Sequence, residues 1–99
     1  MIFIRSERFK RAFQSLPKDV QKKAVRALRL MAGDMFYPSL VVKKVQGYPG
    51  IWEARVDIKY RLTFQYEQKD SKTICILRNV DNHDECLKNP LSNRTMVDF

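Results

Sequence analysis

Residues 51–87 constrain the fold of this chain more than any other stretch. Ile51-Trp52-Glu53-Ala54-Arg55-Val56-Asp57-Ile58 alternates apolar and charged residues with the period of a strand. A strand so patterned hides Trp52, Ala54, Val56 and Ile58 on one face and shows Glu53, Arg55 and Asp57 on the other. Tyr60-Arg61-Leu62-Thr63-Phe64 repeats the alternation, and His83, the only histidine, stands at the far end of the stretch. The exposed face of such a sheet is cationic and able to exchange protons. It suits work on a phosphodiester.

Parity sets how these strands pair. Glu53, Arg55 and Asp57 must share a face with Arg61, Thr63 and Gln65, because the positions between them are apolar. The expected register has a three-residue loop over 58–60, pairing Asp57 with Arg61, Arg55 with Thr63 and Glu53 with Gln65. Residues 67–72 read as a polar hairpin loop. Residues 73–80 read as a strand apolar on both faces (Ile74 and Ile76, Cys75 and Leu77), and therefore a central one.

The N-terminal third has helical period. After a short apolar strand at 2–4, Ser6 is placed to cap a helix, with Glu7 in its first turn. Phe9, Ala12, Phe13 and Leu16 form the buried stripe of that helix. Pro17 ends it and suits the first position of a second helix, which buries Val20, Ala24, Ala27, Leu28 and Met31 and stops at Gly33. Lys18, Lys22, Arg26 and Arg29 fall on one polar stripe. A loop over 34–40 leads to a strand at 41–45, and Gly47 with Pro49-Gly50 makes a turn. Asp81-Asn82 is expected to turn into a short last helix over 83–88, before a tail at 91–99 without clear period. The fold class is α+β: an N-terminal strand and a two-helix hairpin packed on a twisted, mainly antiparallel sheet of about four strands, then a short C-terminal helix.

Ninety-nine residues make one domain. The net charge of +8 is uneven: +7 on residues 1–33, +2 on 34–66 and −1 on 67–99. A polyanionic partner is the first implication, either nucleic acid or a strongly acidic protein. Cys75 and Cys86 stand apart with no CxxC, and one His with two Cys falls short of a zinc site. No metal or other cofactor is expected. The N-terminus lacks a signal-peptide pattern and no segment approaches a membrane span, so the chain reads as cytoplasmic.

Taken in order, Phe9, Leu16-Pro17 and Val20-Gln21-Lys22-Lys23-Ala24, then Gly50-Ile51-Trp52-Glu53-Ala54-Arg55-Val56, Tyr60-Arg61-Leu62, and finally Val80 with His83-Asp84-Glu85 resemble the RelE/ParE toxin superfamily of toxin–antitoxin systems. The resemblance covers roughly residues 1–90, which it marks as the toxin domain. It implies a metal-independent endoribonuclease that cuts mRNA on the ribosome and is neutralised by an acidic antitoxin. Carried onto this sequence, Arg61 matches an arginine that holds the phosphate in family nucleases, and Arg55 lies where several members place a cation. His83 opens the motif in which a histidine serves some branches as acid or base, and Glu53 is the candidate carboxylate. Arg61 is expected to face solvent between the core residues Tyr60 and Leu62. Lys22, Arg26, Arg29, Lys43 and Lys59 are the expected RNA contacts. Leu87 departs from the pattern, since many nucleases carry Tyr or Phe there. The alternatives are the ParE branch, which has this scaffold without the nuclease set and acts on DNA gyrase, or a basic binding module without activity.

Overall fold

The computed structural model describes residues 1–82. Strand β1 (Ile2–Arg5) leads into helix α1 (Glu7–Ser15) and helix α2 (Lys18–Gly33). A 3-10 turn (Pro38–Leu40) precedes the short strand β2 (Lys43–Lys44), followed by β3 (Trp52–Arg55), β4 (Tyr60–Lys69) and β5 (Lys72–Asn82). The strands form one five-stranded sheet in the order β1-β5-β4-β3-β2. The expected α+β class stands, with five strands in place of about four. The added contact is parallel: β1 pairs with β5, Phe3 opposite Cys75 and Ile4 opposite Ile76, and every other pair is antiparallel. The two partners are far apart in the chain, with both helices and strands β2 to β4 between them, which leaves ample length for a parallel pair.

Local chemistry explains the helices. Ser6 Oγ accepts a hydrogen bond from the Phe9 amide at 3.1 Å and donates one to the Arg78 carbonyl at 3.0 Å, so one hydroxyl caps α1 and ties it to β5. A cap of this kind stabilises by about 1 kcal/mol. Pro17 stands at the cap of α2, one residue before the position expected for it, and its carbonyl accepts from the Gln21 amide. The Gln21 side chain closes the interhelical corner by donating to the Phe13 carbonyl at 3.0 Å. Phe9, Leu16, Val20, Ala24, Ala27 and Met31 face one side of the sheet and bury Ala54, Leu62, Phe64, Cys75, Leu77 and Val80. By strand parity the opposite face carries Glu53, Arg55, Arg61, Thr63 and Gln65, of which Glu53 and Thr63 are buried.

Several boundaries differ from expectation. The strand expected over 41–45 is reduced to Lys43–Lys44, because the 3-10 turn runs to Leu40 and Val41 adopts a left-handed φ of 46°. The polar loop expected over 67–72 tightens to Asp70-Ser71, both with positive φ (52° and 65°), and Lys69 pairs with Lys72. Two left-handed residues match the right-handed twist of the flanking strands. Asp81 and Asn82, expected to turn, continue β5 opposite Arg61 and Tyr60. The expected C-terminal helix and the tail lie outside the described residues. Among the described residues, no helix is long and apolar enough to cross a membrane.

Candidate functional site

The site is assembled by the pairing of β2, β3 and β4. The observed register sets Glu53 opposite Thr63, Ala54 opposite Leu62 and Arg55 opposite Arg61. Parity is as expected, but the strands slide by two residues, because Asp57 leaves the strand to build the turn. Its Oδ1 accepts from the amides of Lys59 and Tyr60, both at 2.8 Å, and its Oδ2 lies 3.4 Å from Lys23 Nζ. Four residues, 56–59, therefore link β3 and β4 where three were expected. Ile58, expected inside, lies at the tip of this turn and is 85% exposed. Burial alone pushes the Asp57 carboxyl up; the hydrogen bonds from Tyr60, Lys59 and Lys23 outweigh it and hold the pKa below its ordinary value.

Glu53 was expected on the open face and lies on it, yet only 2% of the residue is exposed. Its Oε1 is 3.6 Å from Lys43 Nζ on β2 and 3.9 Å from Arg61 Nε on β4. Both distances exceed a hydrogen bond, and this oxygen accepts none among the described residues. The attraction is therefore purely of charge, in a row Lys43–Glu53–Arg61 across three adjacent strands. A buried carboxylate requires such company. Arg61 is likewise less open than expected, its side chain only 13% exposed. Its Nη1 donates to the carbonyls of Asp57 (2.8 Å) and Tyr60 (3.2 Å), so the guanidinium braces the turn while its Nε faces Glu53. Arg55, opposite it, is exposed and has no ion pair or hydrogen bond among the described residues.

The remaining expected residues are spread around this centre. Lys59 is exposed on the β3–β4 turn and Lys43 on the edge strand. Lys22, Arg26 and Arg29 are exposed on α2, on the helical side of the sheet. His83 and Leu87 lie outside the described residues.

Sequence reasoning missed the polar row on β5. The pairing of β4 and β5 slips between Thr63 and Phe64, so that Thr63 faces Asn79 and Phe64 faces Leu77. Arg78 is the extra residue of this bulge. It is 1% exposed, and its Nη1 donates to Gln65 Oε1 at 2.6 Å. Burial, and after it the nearby charge of Arg8, lowers its pKa. Thr63 and Asn79 are buried beside it. The available signal was two adjacent polar residues, Arg78-Asn79, interrupting the apolar run of a central strand, the mark of an inserted residue. Cys75 is fully buried in the core, and burial pushes its thiol up to about 12, which keeps it protonated and unreactive. No group of three or more metal-ligating side chains gathers among the described residues.

This mixed five-stranded sheet, with one face covered by a helical hairpin, is the fold of the RelE, YoeB and ParE toxins, the superfamily the sequence resembles. The YoeB/ParE toxin from Agrobacterium tumefaciens superposes with a TM-score of 0.71 at 14% identity, covering 84% of this chain and 99% of that one. A chain of the archaeal RelE–RelB complex from Pyrococcus horikoshii OT3 gives 0.66 at 18% identity, covering 82% and 92%. An arginine-substituted double mutant of Escherichia coli toxin RelE in the free state gives 0.59 at 17% identity, covering 98% and 90%. At these identities the likeness is one of fold. No protein-family model matches the chain. No curated protein matches it either.

Proposed function

We propose that the chain is the toxin of a toxin–antitoxin system and acts as a metal-independent endoribonuclease on ribosome-bound mRNA in the cytoplasm. The observation that carries this reading is the row Lys43–Glu53–Arg61 on the open face of a toxin fold, with Arg55 exposed beside it. In the reaction, the ribose 2′-oxygen attacks the adjacent phosphorus and the bond to the 5′-oxygen breaks. A base takes the 2′-proton, an acid returns a proton to the 5′-oxygen, and cations steady the added negative charge. Arg55 is open to contact the phosphate directly. Arg61 adds its charge from a braced position, and Glu53, too enclosed to meet a ribose hydroxyl, holds Lys43 and Arg61 in place. His83 supplies the proton. The RelB–RelE complexes among the structural neighbours support an antitoxin as the second partner, and the net charge of +8 is what would make an acidic one fit.

The test is single-turnover cleavage of mRNA on programmed ribosomes. Arg55→Ala, at an exposed residue without partners, is expected to keep the fold and lose rate. Arg61→Ala is expected to lower the rate by about a hundredfold or more, on the order of 3 kcal/mol of transition-state stabilisation. It also loosens the β3–β4 turn, so its thermal unfolding is read alongside. Arg61→Lys recovers only part of the rate, since lysine keeps the charge but loses the planar fork that braces it on the Asp57 and Tyr60 carbonyls. His83→Ala slows cleavage if His83 is the donor. Equal rates in all variants would remove the nuclease reading. Leu87, where many family nucleases carry an aromatic residue, favours a second reading: a parent that cuts no RNA yet traps gyrase on DNA is ParE-like.

A further inference from the structure

An apolar residue interrupts the basic stripe of α2. Lys18, Lys22, Val25 and Arg29 stand at i, i+4, i+7 and i+11, which places all four within about 60° of arc. Val25 lies in the middle of that stripe, half-buried, and belongs neither to the core nor to the residues packed against it. A β-branched valine is a weaker helix former than lysine, glutamate or alanine, so a purely solvated face gives no reason for it. Its neighbours give one. Val25 and Phe13 of α1 are shared by two depressions that adjoin along the seam of the helical hairpin. The first, of about 260 Å³, has Phe9, Phe13, Val25 and Leu28 along it and Arg5 and Lys10 at its rim. The second sets Lys18, Lys22 and Arg29 around Phe13 and Val25. Arg26, about 80° from Lys18 around the helix, lines a different groove, which it shares with Arg55 at the end of β3.

The charge along this seam has one sign. Among the described residues, five cations and no carboxylate line the two depressions. Lys10 is matched by Glu7 at 3.4 Å, whereas the side chains of Arg5, Lys18, Lys22 and Arg29 have no ion pair or hydrogen bond among the described residues. Nucleic acid would use the cations, but the aliphatic Val25 and Leu28 offer its bases no ring, and the Phe13 ring is already stacked on Phe9 at 6.2 Å. A second copy of this chain would bring cations against cations. The surface fits a line of apolar side chains flanked by acids, which is the pattern of an amphipathic helix laid in a groove. From Lys18 to Arg29 the helix axis rises about 16 Å, enough for about three turns of a partner helix alongside.

We propose that the α1–α2 seam is a docking groove for an acidic amphipathic helix of a partner protein, with apolar side chains on Phe13, Val25 and Leu28 and carboxylates toward Lys18, Lys22 and Arg29. This groove is independent of whether the chain cuts RNA and of which protein supplies the helix. The probe is a fluorescent, end-capped peptide of about five helical turns, with leucine at i, i+4, i+7 and i+11 and glutamate or alanine elsewhere. It is titrated by anisotropy against the full chain at about 0.15 M salt. An isomer of the same composition, its leucines spread around the helix, is expected to bind about tenfold more weakly. The helical circular dichroism of the first peptide is expected to rise on binding, since an isolated helix of this length is marginal in water. Arg29→Glu, at an exposed residue, is expected to weaken binding about tenfold, while Lys69→Glu on the β4–β5 hairpin leaves it within about twofold. Val25→Lys separates apolar docking from simple charge attraction. It adds a positive charge, yet is expected to weaken binding about tenfold by removing an apolar contact. Thermal unfolding of each variant is read alongside. The proposal is overturned if the isomer binds as well as the probe, if Val25→Lys tightens binding, if Lys69→Glu matches Arg29→Glu, or if the parent binds neither peptide. A dimer in sedimentation that Val25→Lys breaks would give the groove to a second copy instead. Binding of a 2′-O-methyl oligouridylate with the same loss on Val25→Lys would give it to RNA, and either result also overturns the proposal.

Discussion

Asp57 shows how one side chain settles a site. Its carboxylate gathers the amides of Lys59 and Tyr60 and the ammonium of Lys23, and the turn it builds places Arg61 opposite Arg55. Those hydrogen bonds hold its folded pKa below the unfolded value of about 3.9. The sign follows from linkage. A depressed carboxylate contributes stability that is fully present above the unfolded pKa and is lost as pH falls through the folded one. Asp57→Asn keeps an acceptor oxygen and cannot ionise. Urea unfolding of parent and variant is therefore expected to show a constant difference above about pH 5 that shrinks as the pH drops below about 4. A difference unchanged down to the acid limit would mean that charge contributes nothing to the turn. Glu53 makes the complementary point. Alternation alone put it on the open face, and its enclosure depends on Lys43 and Arg61, residues ten before and eight after it in the chain.

Among the elements, the β4–β5 hairpin is the longest, and its turn carries backbone strain. Asp70 and Ser71 both sit in the left-handed region, where glycine carries no steric cost. Ser71→Gly converts the pair into Asp-Gly, the combination this turn prefers. It is expected to stabilise by about 1 kcal/mol and to raise the melting temperature by about 5 °C. A melting temperature that stays the same or falls would place the entropy cost of glycine above the relief of strain. The same hairpin carries the bulge at Arg78, which lets Leu62 and Phe64 stay in the core while Arg78 and Asn79 turn toward Gln65 and Thr63 on the other face. The pairing of β3 with β4 was legible in its parity but not in its phase. Both phases bury the same apolar set, and only the Asp57 turn chooses between them.

For the whole molecule the governing quantity is charge. Residues 1–33 carry +7 of the total +8, and α2 displays Lys22, Arg26 and Arg29 to solvent. An acidic protein meeting this surface is steered by a long-range field, which acts on the rate of association. Replacing all three with Glu takes the net charge from +8 to +2. It is expected to slow association with a co-encoded acidic partner by about tenfold or more at low salt, with the difference fading as salt rises. Stopped-flow measurement at several ionic strengths checks this. An association rate that is the same for parent and variant would make the stripe a solvated face.

By itself the sequence determined what local periodicity and local chemistry can encode. The 3.6-residue spacing of Phe9, Leu16, Val20, Ala24 and Met31 set the helical hairpin. Ser6 set its start, and the alternation through 51–64 set which side chains share a face, because these depend on neighbours a few residues apart. Tertiary structure decided what depends on distant pairing: the parallel β1–β5 contact, the two-residue slide that sets Arg55 against Arg61, and the burial of Glu53 and Arg78. It also joined Arg26 of α2 and Arg55 of β3 in one groove. Such partners are brought together by packing the hairpin on the sheet, and no spacing within a single element records them.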